Sequence, residues 1–158
     1  MTHPATVRTT DEGKTFAIVG DIYRFLVTGD ETGGAYAMWE AVVGPGGGPP
    51  PHIHSREEES FYILEGEITF TIGDQTVVAT PGMFANVSRG TAHSFRNQTE
   101  KPARMIISVA PAGLEKMFIS IGTPCLITDP VPPITPADIE RVIAAAPQYG
   151  VTLLLPPH

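Results

Sequence analysis

Hydrophobic and polar residues alternate along the middle of the chain in short runs that predict β-strands. The clearest run is Ile68-Thr69-Phe70-Thr71-Ile72; the pair Gly73-Asp74 and a second alternating run follow, so we expect a hairpin with a two-residue turn over 68–79. Comparable runs rich in β-branched and aromatic residues lie between glycine-rich breaks, at 22–28, 35–43, 60–64, 83–87, 92–96 and 104–110. Strands at this even spacing predict an antiparallel barrel or sandwich.

Apolar residues change to helical spacing in the last third of the chain. Two sets occupy positions i, i+3, i+4 and i+7: Leu114, Met117, Phe118 and Ile121, and then Ile139, Val142, Ile143 and Ala146. Thr135 is a candidate N-cap, Pro136 suits the first helical position, and Pro147 ends the second set. We therefore expect a flexible arm over 1–15, a β-domain over 16–111 and a tail of short helices and proline-rich chain over 112–158, packed on the β-domain.

Composition supports one folded domain with many turns. The chain has 158 residues, 42% of them hydrophobic and only 17% charged, which is too apolar for a disordered protein. Sixteen glycines and sixteen prolines suit short strands joined by turns better than long helices. The net charge of −7, without a basic block, argues against nucleic acid or an anionic membrane surface as a partner.

The single cysteine and the absence of long apolar runs predict a cytoplasmic protein. Cys125 has no second cysteine to pair with, so no internal disulfide is expected. The first residues lack the basic and apolar segments of a secretory leader. No apolar run approaches the roughly 18 residues that cross a bilayer.

Three of the five histidines fall within the predicted β-domain and suggest a metal site. His52 and His54 are two residues apart, so both imidazoles point to one face of an extended segment. Glu59 opens the next strand, and His93 opens a later one. Imidazole and carboxylate groups suit a divalent first-row metal. Glu58 is the alternative acidic ligand, and we expect the rest of the run 56–59 to be a solvated loop.

The wider spacing of these residues matches two sequence motifs. Gly46, His52, His54, Glu59 and Gly66 occupy every fixed position of the pattern G-x5-H-x-H-x3,4-E-x6-G. The pattern G-x5-P-x-G-x2-H-x3-N is matched by Gly82, Gly90, His93 and Asn97, with Ser88 in place of its proline. In both stretches the chain resembles the cupin family. The departure at Ser88 removes no ligand.

The resemblance to cupins implies a small antiparallel jelly-roll-like β-barrel and a single divalent ion. It assigns the ion to His52, His54, Glu59 and His93, and it gives Asn97 a structural role. Iron, manganese, nickel and cobalt are favoured, and zinc also suits such ligands. Period-two alternation from Glu59 and His93 turns Phe61, Ile63 and Phe95 toward the inside, where we expect them to line the pocket.

Two further stretches, 46–54 and 61–66, resemble the quercetin-dioxygenase-like branch of cupins. That resemblance implies oxygen-dependent cleavage of a flavonol-like or other enolisable small molecule. Glu59 would then complete the metal shell or take a proton from the substrate, with a pKa raised toward neutral by the apolar pocket. Two alternatives remain open: a non-catalytic module that binds a small ligand, and a metal-dependent isomerase or epimerase. The resemblance also implies a homodimer.

Overall fold

The computed structural model describes residues 2–156, so Met1, Pro157 and His158 lie outside the described residues. The part of the predicted tail that falls on the last two of these is therefore not described. Within 2–156 the chain is mostly β, with two antiparallel sheets and few helices. No helix in this range is long and apolar enough to cross a membrane.

The strands and helices follow one another in a simple order. In chain order the strands are β1 (Thr15–Ile18), β2 (Asp21–Val27), β3 (Ala37–Val43), β4 (His52–His54), β5 (Glu58–Glu65), β6 (Ile68–Ile72), β7 (Gln75–Ala79), β8 (Phe84–Val87), β9 (His93–Arg96), β10 (Ala103–Ala110), β11 (Thr123–Pro124) and β12 (Val151–Leu153). The helices are α1 (Gly29–Thr32), α2 (Leu114–Ile121) and α3 (Pro136–Ala145), and a 3₁₀ turn covers Ala146–Tyr149.

The strands form two separate sheets rather than the closed barrel that the sequence predicted. One sheet has the order β11-β1-β2-β3-β10-β5-β8, and the other has the order β12-β4-β9-β6-β7. Within the described chain no strand pairing joins the two sheets. The chain passes from β7 in one sheet to β8 in the other through a turn in which Met83 N donates to Thr80 O at 3.0 Å. Consecutive strands therefore belong to different sheets at this point. The expected antiparallel β-fold with a short helical tail is confirmed. The prediction that the strands close into one barrel is wrong.

The predicted hairpin is present and has the expected register. Ile68 pairs with Ala79 and Ile72 pairs with Gln75, which leaves Gly73 and Asp74 as the turn. Gly73 has a φ of 60°, a left-handed conformation that glycine adopts without steric cost. On β6 the alternation buries Ile68 and leaves the intervening threonines partly or fully exposed. The alternation of hydrophobic residues on both sides of Gly73-Asp74 was therefore enough to predict this hairpin and its register.

An aromatic core fills the space between the sheets. Trp39 is completely buried, and its ring lies 5.7 Å from that of Phe25. At the other end of the core the ring of Phe61 lies 4.9 Å from that of Phe70 and 5.9 Å from that of Phe95. Tilted and edge-on rings at such distances pack favourably. This packing holds the strands that carry the candidate site.

The C-terminal helices begin where the sequence predicts. Thr135 caps α3, because its hydroxyl accepts from Asp138 N at 3.2 Å while the Asp138 carboxylate accepts from Thr135 N at 2.8 Å. In α2 the ring of Phe118 lies 5.1 Å from that of Tyr23 and 5.5 Å from that of Trp39. The helix thus packs against aromatic residues of the larger sheet.

The glycine-rich segment before β4 lies directly against β9. A Cβ atom at Gly48 would meet the carbonyl oxygen of Phe95 at 1.9 Å, so only glycine fits there. Asn97 is fully buried and donates to Val43 O at 3.0 Å and to Lys101 O at 2.7 Å. Its backbone also exchanges hydrogen bonds with the glycine segment. These contacts show that Asn97 has the predicted structural role. They also hold the segment that leads into β4.

Candidate metal centre

The four side chains selected from the sequence meet at one buried point between the two sheets. His52 and His54 lie on β4, His93 lies opposite His52 on the neighbouring strand β9, and Glu59 comes from β5 in the other sheet. Each of the four residues is at most 6% exposed. One candidate ligand atom from each residue can be chosen so that all four lie within 4.8 Å of one another. The cluster therefore joins the consecutive strands β4 and β5 to the more distant strand β9.

The distances within the cluster suit a single ion. The Nε2 atoms of His52 and His54 are 3.1 Å apart, and Glu59 Oε1 lies 2.9 Å from His93 Nε2 and 3.4 Å from His54 Nε2. Two ligand atoms about 2.1 Å from a common ion, at right angles to each other, would be about 3.0 Å apart. Three nitrogen donors and one oxygen donor match the preferences of divalent first-row metals. The buried cluster fits a divalent metal site.

The outer nitrogens of two of the rings set the direction of their inner nitrogens. His52 Nδ1 donates to Pro50 O and His93 Nδ1 donates to Thr91 O, each at 2.9 Å. A carbonyl oxygen can only accept, so the proton of each neutral ring resides on Nδ1. The lone pair of each Nε2 then points into the cluster. Metal-binding histidines are commonly held in this way by a backbone carbonyl.

The outer nitrogen of His54 faces the carboxylate of Glu57, a residue that the sequence analysis did not select. His54 Nδ1 lies 3.7 Å from Glu57 Oε2, and neither atom has a hydrogen-bond partner, although both are buried. We expected Glu57 to be solvated, but it is 3% exposed, so that expectation is wrong. Glu57 directly precedes β5 and continues its alternation: Glu57 and Glu59 are buried, while Glu58 turns outward and accepts from Asn86 Nδ2 at 2.8 Å.

Burial and neighbouring side chains shift the pKa values of the cluster and of Glu57. Burial lowers the pKa of His52 from 6.5 to about 4. Burial also opposes ionisation of Glu59, but the adjacent His54 and His93 side chains outweigh it and lower the pKa of Glu59 to about 2. Burial raises the pKa of Glu57. The expected rise in the pKa of Glu59 is therefore wrong for this arrangement, because the imidazoles stabilise the carboxylate.

A largely apolar cavity opens beside the cluster. Its empty volume is about 840 Å³, part of which is open solvent, and His52, His54 and Glu59 contribute to its wall. Apolar walls with a few polar groups are typical of small-molecule sites. Phe95 lines the cavity as expected, whereas Phe61 and Ile63 are 1% exposed in the core and lie outside its lining. Those two side chains do turn inward, but the rings of Phe70 and Phe95 fill the space around Phe61.

Sequence reasoning missed most of the other residues that line the cavity. The C-terminal tail supplies one wall, chiefly through Met117, Phe118, Ile139, Val142 and Leu153. The larger sheet contributes Asp21 and Tyr23 from β2 and Trp39 from β3. Only the helical spacing of the tail hinted at an apolar face, because the sequence does not reveal which surface that face covers.

Comparison with known proteins shows a likeness over part of the chain. Residues 39–109 match the family model described as Cupin domain. Quercetin 2,3-dioxygenase of Aspergillus japonicus is 28% identical over 127 residues, which are 76% of this chain and 36% of that protein. Quercetin 2,3-dioxygenase of Bacillus subtilis (strain 168) is 24% identical over 113 residues, 72% of this chain and 33% of that protein. The chain thus matches only about a third of the length of these relatives.

Solved structures agree on the fold. An RmlC-like cupin from Shewanella frigidimarina NCIMB 400 superimposes with a TM-score of 0.62 at 17% identity and covers 73% of this chain and 99% of that one. At this identity the likeness concerns the fold alone. The larger part of the chain is therefore arranged as in that protein.

Proposed function

We propose, on the premise that this chain carries a cupin domain of the type found in quercetin-dioxygenase-like cupins, that it is a metal-dependent dioxygenase. Its substrate would be a flavonol-like or other enolisable small molecule that reacts with O₂. The observation that carries the proposal is the meeting of three imidazoles and one carboxylate at the wall of an apolar cavity. The sequence similarity to quercetin 2,3-dioxygenases supports the reaction class.

The ion in this proposal is held by His52, His54, Glu59 and His93. When bound, it supplies a Lewis-acidic centre that favours the ionised form of a substrate hydroxyl, and iron, manganese, nickel or cobalt adds redox chemistry. The protein itself turns two of the imidazoles toward the ion site. The carbonyl groups of Pro50 and Thr91 do this by accepting from the outer ring nitrogens of His52 and His93.

The cavity wall contributes the binding of an aromatic ligand and the exclusion of water. Trp39, Phe95 and Phe118 are among the lining residues, and aromatic side chains there favour an aromatic ligand. Aliphatic residues of α3 and β12 cover another side. Removing water from around the cluster strengthens every electrostatic interaction there. An electron-rich enolate would be protected from bulk solvent in such a place.

Glu59 has two possible duties in this proposal, and one variant separates them. As a ligand it completes the set of donors; as a base it accepts the proton of the substrate hydroxyl at its carboxylate. Glu59→Gln keeps an oxygen donor of the same size but removes most of the basicity. Bound metal with lost turnover would assign Glu59 the role of base. Loss of both would assign it the role of ligand.

The test is oxygen consumption by metal-loaded protein with quercetin, measured with an oxygen electrode. We expect uptake that depends on quercetin and falls at least tenfold in His52→Ala and His93→Ala. His3→Ala is the matched control, since His3 is exposed and distant from the cluster in sequence, and it should keep full activity. Saturable quercetin binding without uptake would instead support a non-catalytic binding module. Conversion of an enolisable substrate without O₂ uptake would support an isomerase.

A further inference from the structure

A second polar group lines the same cavity and includes none of the residues assigned to the ion. Asp21 and Tyr23 are two residues apart on β2, so their side chains share one face, and both line the cavity. Tyr23 Oη donates to Asp21 Oδ2 at 3.3 Å. The two residues are 3% and 6% exposed. Apart from the histidines and Glu59, they are the only titratable residues in the lining that the described chain provides.

One oxygen of Asp21 is left without a partner. Oδ1 is buried and makes no hydrogen bond to any described residue. A buried acceptor in this state is unfavourable, and it gains from any ligand that brings a hydrogen-bonding group. Gly47 leaves room for it, because a Cβ atom there would lie 2.9 Å from Oδ1. The fold thus has space for the Asp21 carboxyl group but gives its Oδ1 atom no hydrogen-bond donor.

The electrostatic surroundings of Asp21 favour an uncharged carboxyl group. Burial raises the pKa of Asp21 well above its usual range, and the hydrogen bond from Tyr23 offsets only part of this. No lysine or arginine side chain of the described chain lines the cavity, so no permanent cation there opposes the shift. A protonated carboxyl group can both donate and accept a hydrogen bond. It can therefore bind either a hydroxyl or a carbonyl group.

We propose that Asp21 is a specificity-determining residue that hydrogen-bonds a second hydroxyl or carbonyl group of an otherwise apolar aromatic ligand, and that Tyr23 positions it. This rests on the proposed function in one respect, namely that the enolic group of the same ligand lies at the histidine cluster. The ligand is then a polyoxygenated aromatic molecule rather than a simple enol. Tyr23 acts through Asp21, because its hydroxyl is engaged by the carboxyl group.

The test compares two probes that differ in their number of hydroxyl groups. Quercetin carries ring hydroxyls in addition to its enolic group, whereas 3-hydroxyflavone carries only the enolic one. Trp39 is the single tryptophan and lines the cavity, so quenching of its fluorescence reports binding of either probe. We expect the unmodified protein to prefer quercetin about tenfold, because a site built to pair with a hydroxyl discriminates against its absence.

Substitutions at Asp21 and Tyr23 should reduce the preference for quercetin without changing the affinity for 3-hydroxyflavone. Asp21→Leu is expected to abolish the preference, Asp21→Asn to retain most of it, and Tyr23→Phe to reduce it about threefold. Val142→Ala is the control from an apolar part of the wall and should weaken both probes equally. Rescue by asparagine separates hydrogen bonding from a merely structural effect, which would move both probes together.

The outcomes distinguish this inference from the proposed function. An unchanged preference in Asp21→Leu, with oxygen uptake intact, would overturn the inference alone. Loss of the preference in Asp21→Leu without any oxygen uptake by the unmodified protein would support the inference and contradict the proposed function. Failure of both probes to bind would contradict both.

Discussion

Replacing Glu57 with glutamine is expected to weaken divalent-metal binding about tenfold. Glu57 Oε2 lies 3.7 Å from His54 Nδ1, and the two side chains are only 3% and 5% exposed. Neither atom has another hydrogen-bond partner. When His54 Nε2 binds an ion, its proton must be on Nδ1, and the Glu57 carboxylate is the nearest group that can accept it.

The size of the effect follows from this geometry. Closing the gap from 3.7 Å to about 2.8 Å, the usual length of a charge-assisted hydrogen bond, needs a movement of about 0.9 Å. Loss of such a partner commonly lowers metal affinity tenfold to hundredfold, or by about 1.4 to 2.7 kcal/mol. Glutamine keeps the shape and a neutral acceptor but loses the charge, so the lower figure applies to Glu57→Gln.

The assay is competition for manganese or cobalt against a chelator of known affinity. Glu58→Gln is the matched control, because Glu58 is the next residue but turns outward and accepts from Asn86 Nδ2. We expect the control to bind metal as the unmodified protein does. Equal affinities of Glu57→Gln and the unmodified protein would refute the reasoning that Glu57 orients His54.

Three further predictions concern stability. Glu40 is 6% exposed and bonds Arg24 at 2.9 Å and Arg104 at 3.0 Å, so Glu40→Gln should destabilise the fold by about 3 kcal/mol in urea unfolding; an unchanged midpoint would show that the pairs contribute nothing. The pKa of Glu59 is lowered to about 2, so its carboxylate stabilises the metal-free protein above pH 4.5, and this contribution is lost as the pH falls from 4.5 toward 2. Glu59→Gln should flatten that part of the stability profile, and a profile of the same slope would contradict the assignment. Phe61→Ala should cost about 3 to 5 kcal/mol, because the ring is 1% exposed among other aromatic rings, and a loss below about 1 kcal/mol in chemical denaturation would contradict tight packing.

Elements that depend on local pattern could be predicted from the sequence. The hairpin over 68–79 has strict alternation around Gly73-Asp74, and α3 has both its cap at Thr135 and its helical spacing. Several short strands could not be predicted. β1, β4, β11 and β12 are two to four residues long and depend on pairing with segments distant in sequence, as between Val151 and His54. The strand spacing left a barrel or a sandwich open, and the resemblance to cupins implied the barrel; neither determines which strand edges pair.

The candidate site was predictable to the extent that spacing encodes it. His52, His54, Glu59 and His93 stand at motif positions, and the structure brings them together. Glu57 was obscured by the surrounding run of charged residues, which looks solvated until the alternation of β5 is known. Asp21 offered a weak signal, as a charged residue at the start of an apolar run. The cavity itself joins β2, β3 and the C-terminal helices, and no local pattern specifies those contacts.

The most direct test of the central claim is the metal content per chain. Protein without a histidine tag, purified without chelators, would be analysed by mass spectrometry beside His52→Ala and His93→Ala. The account predicts close to one iron, manganese, nickel or cobalt ion per chain in the unmodified protein and at least tenfold less in both variants. Zinc at the same stoichiometry would keep the site but remove the redox chemistry on which the proposed reaction depends. A cluster that stays empty when these metals are added, or variants that retain the ion, would contradict the claim that His52, His54, Glu59 and His93 form a metal centre.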